Sequence, residues 1–313
     1  MLVQTPERSS RRYAWVPADP RIKAPPLTFD RADAAEFDVA YDALARYFQP
    51  RGEVDAREVL RRLHAEPWEQ GALLCSYEAV LVRDTTGALV GASDLYILLD
   101  RVRGIATCLI SNVHVEPGPR SRGIGLWMDE ALGAFLDVVA AERGFPPGGL
   151  RLVAGDVEAI DVDDLDSWTR LVLWSFRGLR LIPYEVFPLK HLANIDAAGR
   201  RLPPMPALVV IRSAGEPRRL DRLGREALHS LADGIAAIDG ALIGEEASAK
   251  YVACLRRAIA AAPDEVALMP LPGETQTIGA IAPLLRSVAF AGAEPTEREL
   301  QWLVARIAER GWS

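Results

Sequence analysis

The stretch from Ile110 to Met128 constrains this chain more than any other, because its pattern passes from strand to turn to helix within a few residues. Val113 and Val115 alternate with polar neighbours as strand residues do, and Pro117, Gly118 and Pro119 stop the strand. Gly123 and Gly125 then allow something bulky to approach the backbone closely. After them Leu126, Leu132, Phe135, Leu136 and Val139 recur at helical spacing. A glycine turn at the start of a helix aims backbone N–H groups outward at the positive end of the helix dipole, which makes an anion cradle. Phosphate is the anion this arrangement suits.

Three glycine-rich phosphate motifs compete for the stretch. A dinucleotide-binding fingerprint needs a third small residue where Met128 stands. A P-loop needs Gly-Lys-Ser/Thr, and Gly125 is followed by Leu126. What remains is Val-x-Val, a proline, then Arg120-x-x-Gly123-x-Gly125. This resembles the pyrophosphate-binding motif of the GNAT acyltransferases, the superfamily related to Gcn5-type N-acetyltransferases. The resemblance runs from about residue 28 to residue 213. In the family the helix after the fifth strand often reads Asn, then Ala, Leu-Tyr and Gly-Phe. Here Ser167, Arg170, Leu173-Trp174 and Gly178-Leu179 keep that spacing but not those identities.

The pattern along the chain agrees with such a fold. Phe37, Tyr41, Leu44 and Phe48 predict a helix that Pro50 and Gly52 end, and Val54 to Leu63 predict a second. Strands follow over Ala72–Arg83, Leu89–Leu99 and Ile105–Val115, joined by turns at Asp84–Gly87 and Asp100–Gly104. The helix after the glycine turn runs to about Arg143, and Leu150–Val157 is a further strand. A helix is expected over Leu165–Phe176, with strands over Leu179–Leu189 and Leu208–Ile211. The fold class is therefore α/β (α+β), a mixed, mostly antiparallel sheet flanked by helices with a C-terminal helical extension. An N-terminal arm (residues 1–27) is rich in Pro and Arg and could pack as an arm or give one edge strand. The GNAT-like acyl-CoA-binding domain that the resemblance implies occupies 28–213. A region over 214–313 reads as helical throughout, with helices over Asp221–Leu231, Glu245–Ala262, Thr275–Ala289 and Thr296–Ala308, and resembles no family. Those helices could cap the sheet, shape the substrate cleft or form a homodimer interface.

Composition narrows the function classes. A net charge of -7 argues against nucleic acid and suits a cationic substrate or simple solubility. No apolar run reaches the ~20 residues a bilayer span needs, and residues 1–12 are polar, so neither a membrane partner nor a leader is expected and the cytoplasm is. The Ala-, Arg-, Gly- and Pro-rich usage suits a GC-rich bacterial genome. Cys75, Cys108 and Cys254 and the scattered histidines show no disulfide framework or metal-ligand spacing, so no metal is expected.

The resemblance implies acyl transfer from acetyl-CoA, or another acyl-CoA, to the amine of a small molecule by direct attack in a ternary complex. Backbone amides from Arg120 through Ser121, Arg122, Gly123 and Ile124 to Gly125 would hold the diphosphate, with Ser167 nearby. The strand edge at Val113 and Val115 would grip the pantetheine like an added strand. An amide near Val115 would meet the oxyanion. Many family members carry a glutamate base where this chain has Leu109. The candidates for the base are therefore Asp156 and Glu158, at the strand end bordering the acceptor cleft, and His114. Each has a plainer alternative: an acidic helix start for the carboxylates, a packed core histidine for His114. The family's thiolate-protonating tyrosine is replaced by Trp174, whose N–H barely ionises, so Tyr184 or solvent would take that role. A non-catalytic acyl-CoA sensor or scaffold and an N-acetyltransferase for proteins or peptides are the alternatives.

Overall fold

The computed structural model describes residues 2–4, 12–15, 22, 24–51, 54–117, 123–158, 171, 174–175, 177–192, 200, 204–215, 219–271 and 298. Their centre is three long consecutive strands, β5 (Leu73–Asp84), β6 (Leu89–Asp100) and β7 (Ile105–Val115). They are numbered after β1 (Leu2–Gln4), β2 (Arg12–Trp15), β3 (Leu27–Arg31) and β4 (Trp68–Gln70). Two tight turns set their register. The Asp84 carboxylate accepts from the backbone N–H of Thr86 at 2.8 Å and of Ala88 at 3.1 Å. Asp100 accepts from the backbone N–H of Arg103 at 3.0 Å. Gly87 and Gly104 follow with φ +84° and +67°, a region open chiefly to glycine.

Beyond them come β8 (Leu150–Glu158), β9 (Arg180–Leu181), β10 (Leu189–His191) and β11 (Met205–Ser213). The sheet runs β1-β2-β3-β5-β6-β7-β8-β11-β10, with β4 on β5 and β9 on β11. Among the described residues only the β7–β8 pairing is parallel, because a helical crossover separates those two strands. The architecture is the mixed, mostly antiparallel sheet with flanking helices that the resemblance implies.

That crossover is α3 (Ile124–Glu142), whose Trp127, Met128, Phe135 and Leu136 are buried against Val82, Ile97, Cys108 and Val153 on one face. On the opposite face α1 (Phe37–Phe48), α2 (Arg57–Ala65) and the helix Arg225–Ile243 cover Leu81, Tyr96, Leu98, Leu109 and Val209. The α1 stripe is the one read from sequence, with Phe37, Tyr41, Leu44 and Phe48 buried. Asp33 helps start this helix by accepting from the backbone N–H groups of Ala35 at 2.9 Å and Glu36 at 3.0 Å. Under α3, Arg212 of β11 donates to Asp129 at 3.0 Å, and Gly133 leaves room for its guanidinium.

Several expectations need correction. The N-terminal arm supplies β1 and β2, which pair with each other and, through β3, extend the sheet edge. The strand read over Leu179–Leu189 is two short strands, because the Pro183 carbonyl accepts from Val186 and Phe187 N–H groups (3.0 and 3.1 Å) and closes a turn. The helix read from Asp221 begins at Arg225 and continues to Ile243. Before it lies β12 (Arg222–Gly224), which pairs with β13 (Glu265–Ala267), so the C-terminal region is not wholly helical. The helix Glu245–Ala261 stands as read. Those read over 165–176, 275–289 and 296–308 fall largely outside the described residues.

Candidate active site

The site begins where two neighbouring strands part. β7 pairs with β8 from Ile105↔Leu150 to Ile110↔Gly155, and among the described residues no pairing continues past that point. β7 then follows β6 to Gly91↔Val115, while β8 follows β11 to Ala207↔Glu158. A register shift explains the divergence: Asp94 faces Asn112 but Leu95 faces Ile110, so Ser111 is an extra residue in β7. A bulge of this kind bends its strand and sharpens the twist. Gly155, the last β8 residue paired with β7, leaves room for the Trp174 ring; a Cβ there would sit 3.4 Å from the indole.

A cavity of about 640 Å³ occupies the gap. Its lining includes Val113, Val115 and Trp174, which pack with the α3 face, and Tyr96, Leu109 and Ile235, which pack with the other. The cavity therefore reaches both faces of the sheet through the parted strands.

The half on the α3 side is electropositive. Gly123 caps α3 with φ +74° and lines the cavity together with Gly125 and Leu126. The Arg177 guanidinium stacks 4.7 Å over the Trp174 ring and would stand 3.1 Å from a Cβ at Gly125. Burial lowers the Arg177 pKa, which Asp129 opposes and Arg212 reinforces. Among the described residues Arg177 makes no ion pair, since Asp129 is taken by Arg212. A cation at the positive end of a helix is unfavourable by itself, and an anion between the two relieves both.

The other half is acidic. Asp55, Asp156 and Asp239 line it, from the segment before α2, the end of β8 and the Arg225–Ile243 helix. His191 lies 2.9 Å from Asp156 (Nε2 to Oδ2). Burial pushes Asp239 up to about 7; His191 works against this, and Asp55 and Asp156 add to it. Tyr96 stands beside Leu109 in the β6–β7 register, and its hydroxyl is buried without a partner among the described residues. Burial raises the Tyr96 pKa well above the ordinary phenol value, with Asp55, Asp94, Asp239 and Asp156 adding to the shift. Behind it the Tyr77 ring packs at 5.2 Å, tilted by 60°, and its hydroxyl donates to Asp94 at 2.9 Å.

The residues singled out from sequence are distributed unevenly over this geometry. Val113, Val115, Gly123, Gly125, His114 and Asp156 all line the cavity. Ile124 is the buried first residue of α3, and Leu109, in the place of the family's glutamate, lines the acidic half. His114 packs its ring 5.2 Å from Tyr47 and approaches Glu116 at 3.9 Å. Glu158 ends β8 opposite Ala207. Tyr184 lies in the turn after β9, away from the cavity lining, and burial raises its pKa. Arg120, Ser121, Arg122 and Ser167 lie outside the described residues. Sequence reasoning missed Arg177, Tyr96, Asp55 and Asp239. The one available signal was Asp239 itself, a single carboxylate in the apolar run from Ile235 to Ile243.

No family model matches the chain, and no curated protein matches it by sequence. Among solved structures it is similar to spermidine N-acetyltransferase of Vibrio cholerae in complex with CoA and spermine, at 11% identity over 60% of this chain and 95% of that one, TM-score 0.39. A mutant of the same Vibrio enzyme matches at 12% identity over 60% of this chain and 94% of that one, TM-score 0.38. A GNAT-family acetyltransferase of Staphylococcus aureus matches at 10% identity over 60% and 99%, TM-score 0.36. Likeness at this level carries no information on substrate or mechanism.

Proposed function

We propose that this chain is a GNAT-type acyltransferase that moves the acetyl group of acetyl-CoA to the amine of a small molecule. The observation that carries the reading is the parting of β7 from β8 beside the α3 N-terminus, where Arg177 lacks an ion pair among the described residues. The anion-binding and acidic halves of one cavity then match the two substrates.

The residues fit a coenzyme A thioester. Its diphosphate would lie against the first amides of α3 and Arg177, where a side chain at position 125 would intrude. Its pantetheine arm would run along β7 from Ser111 to Val115 as an added strand. That directs the thioester carbonyl into the gap and toward the acidic half. The amine attacks the carbonyl carbon, the C–N bond forms, the C–S bond breaks, and the thiolate leaves. The acceptor is a small molecule because α1 and the Arg225–Ile243 helix both contribute walls to this half. A sensor that binds acyl-CoA without turnover is favoured by Leu109 and Trp174 alone; the acids of the cavity favour turnover.

The reading is tested by acetyl-CoA-dependent thiol release over a panel of primary amines, together with calorimetric binding of CoA. Gly123→Asp puts a carboxylate beside the phosphates at a left-handed backbone position. It is expected to weaken CoA at least 100-fold, and unchanged affinity would contradict the assignment. Tight CoA binding without thiol release from any amine would favour the sensor.

A further inference from the structure

Resting on the acyl-transfer reading, we propose that the acceptor is a cationic amine held beneath the Arg225–Ile243 helix, and that Asp239 of that helix removes the proton its nitrogen must lose. Nothing in the glycine motif or in the resemblance reaches this helix; the cavity does, through Ile235, Ile238, Asp239 and Leu242.

The first argument is charge. Carboxylates from separate parts of the fold, Asp55, Asp156 and Asp239, converge on one half of one cavity. The basic groups there are His191, already against Asp156, His114, packed on Tyr47 and 3.9 Å from Glu116, and Lys190, which lies 5.8 Å over the Tyr251 ring. The second argument is independent of the acids. Tyr96 is 4% exposed, lines this half, and carries a hydroxyl with no partner among the described residues. A buried hydroxyl left without a hydrogen bond is costly, so a polar ligand group belongs beside it. An ammonium can donate to Tyr96 and to the carboxylates together. The surrounding Leu109, Ile235 and Ile238 suit methylenes between charged ends.

Asp239 is a better proton acceptor than Asp156. Asp156 is engaged by His191, whereas Asp239 is pushed up to about 7 by burial, with Asp55 and Asp156 adding and His191 opposing. A base poised near neutrality is both ionised enough to accept and basic enough to compete for a proton. The step balances without a further reactant. The ammonium gives one proton to the Asp239 carboxylate, and the free amine attacks the thioester carbon. The C–S electron pair leaves on sulfur, and the second proton lost from nitrogen ends on the thiolate. Products are the amide, the free thiol and protonated Asp239, which returns its proton to solvent.

The test uses the full chain, acetyl-CoA, and 1,4-diaminobutane and 4-aminobutyrate as acceptors. The diamine is expected to exceed 4-aminobutyrate in kcat/KM at least 50-fold, with a rise across pH 6 to 8. Asp239→Asn is expected to lower kcat/KM for the diamine at least 100-fold, abolish that rise, and leave the acetyl-CoA KM within twofold. Asp239→Glu is expected to recover the rise and most of the rate. An Asp239→Asn protein that keeps its rate within threefold and its pH profile overturns the proposal, as does equal use of the two acceptors. Calorimetry with 1,4-diaminobutane alone separates the two readings. Diamine binding lost in Asp239→Asn, in a protein that binds no CoA, keeps the amine site and removes the acyltransferase. CoA binding and turnover with no effect of Asp239 does the reverse.

Discussion

Asp94 is a carboxyl group sealed inside the sheet. It accepts from Tyr77 at 2.9 Å, yet burial outweighs that bond and pushes it up to about 7 from an ordinary 3.8. The folded protein therefore holds a proton on Asp94 that the unfolded chain releases as pH rises through about 4. Stability is undiminished below that pH and falls as pH rises toward about 7, and Asp239 adds to the fall in the same direction. Asp94→Asn keeps an acceptor for Tyr77 and cannot ionise. Denaturant unfolding should show it more stable than the parent by about 2–4 kcal/mol at pH 8 and equal to it at pH 4. A constant difference at both pH values would contradict this account of Asp94. At this scale the sequence is legible where a motif is local. Val113, Val115, Gly123 and Gly125 belong to one strand-turn-helix whose spacing carries its own chemistry. Arg177, Tyr96 and Asp55 belong to patterns that read only as helix, strand or loop, and the fold alone brings them to one cavity.

The Arg225–Ile243 helix is the element whose placement matters most to the proposed acceptor half. Arg103, in the turn between β6 and β7, fixes it to the sheet by donating to Glu226 at 3.0 Å and Asp233 at 3.1 Å. Gly234 brings it close: a Cβ there would fall 2.3 Å from a Leu98 methyl carbon of β6. Gly234→Val is expected to cost about 1–3 kcal/mol by overpacking and to displace the helix from the sheet. Amine transfer should fall at least tenfold in the folded variant while CoA affinity holds. A folded variant with full transfer would show that the helix does not shape the acceptor half. The same element shows how sequence reading slips. Its apolar run is plain, but its start was placed at Asp221 because β12 is too short to alternate and finds its partner only at β13. In the strand read over Leu179–Leu189, hydrophobicity hid the turn at Pro183. Long consecutive strands with Asp- and Gly-marked turns were legible because each is specified by its own residues.

On the proposed reading the whole molecule places a cradle for an anion inside a chain of net charge -7. It can do so because the positive end of α3 and Arg177 act over a few ångströms, within a gap that the bulge at Ser111 opens through the sheet. Acidic groups are kept to the far half, where Asp55, Asp156 and Asp239 meet. Titration calorimetry of the full chain with CoA, and with pantetheine, which lacks the diphosphate, tests this arrangement most directly. CoA is expected to bind at least 100-fold more tightly than pantetheine. Arg177→Gln should weaken CoA by about 10- to 100-fold, the worth of a charge-assisted contact of about 1.5–3 kcal/mol, and leave pantetheine unchanged. Equal affinity for the two ligands, or CoA binding indifferent to Arg177, would contradict the claim that the parted strands and the α3 N-terminus hold a nucleotide thioester.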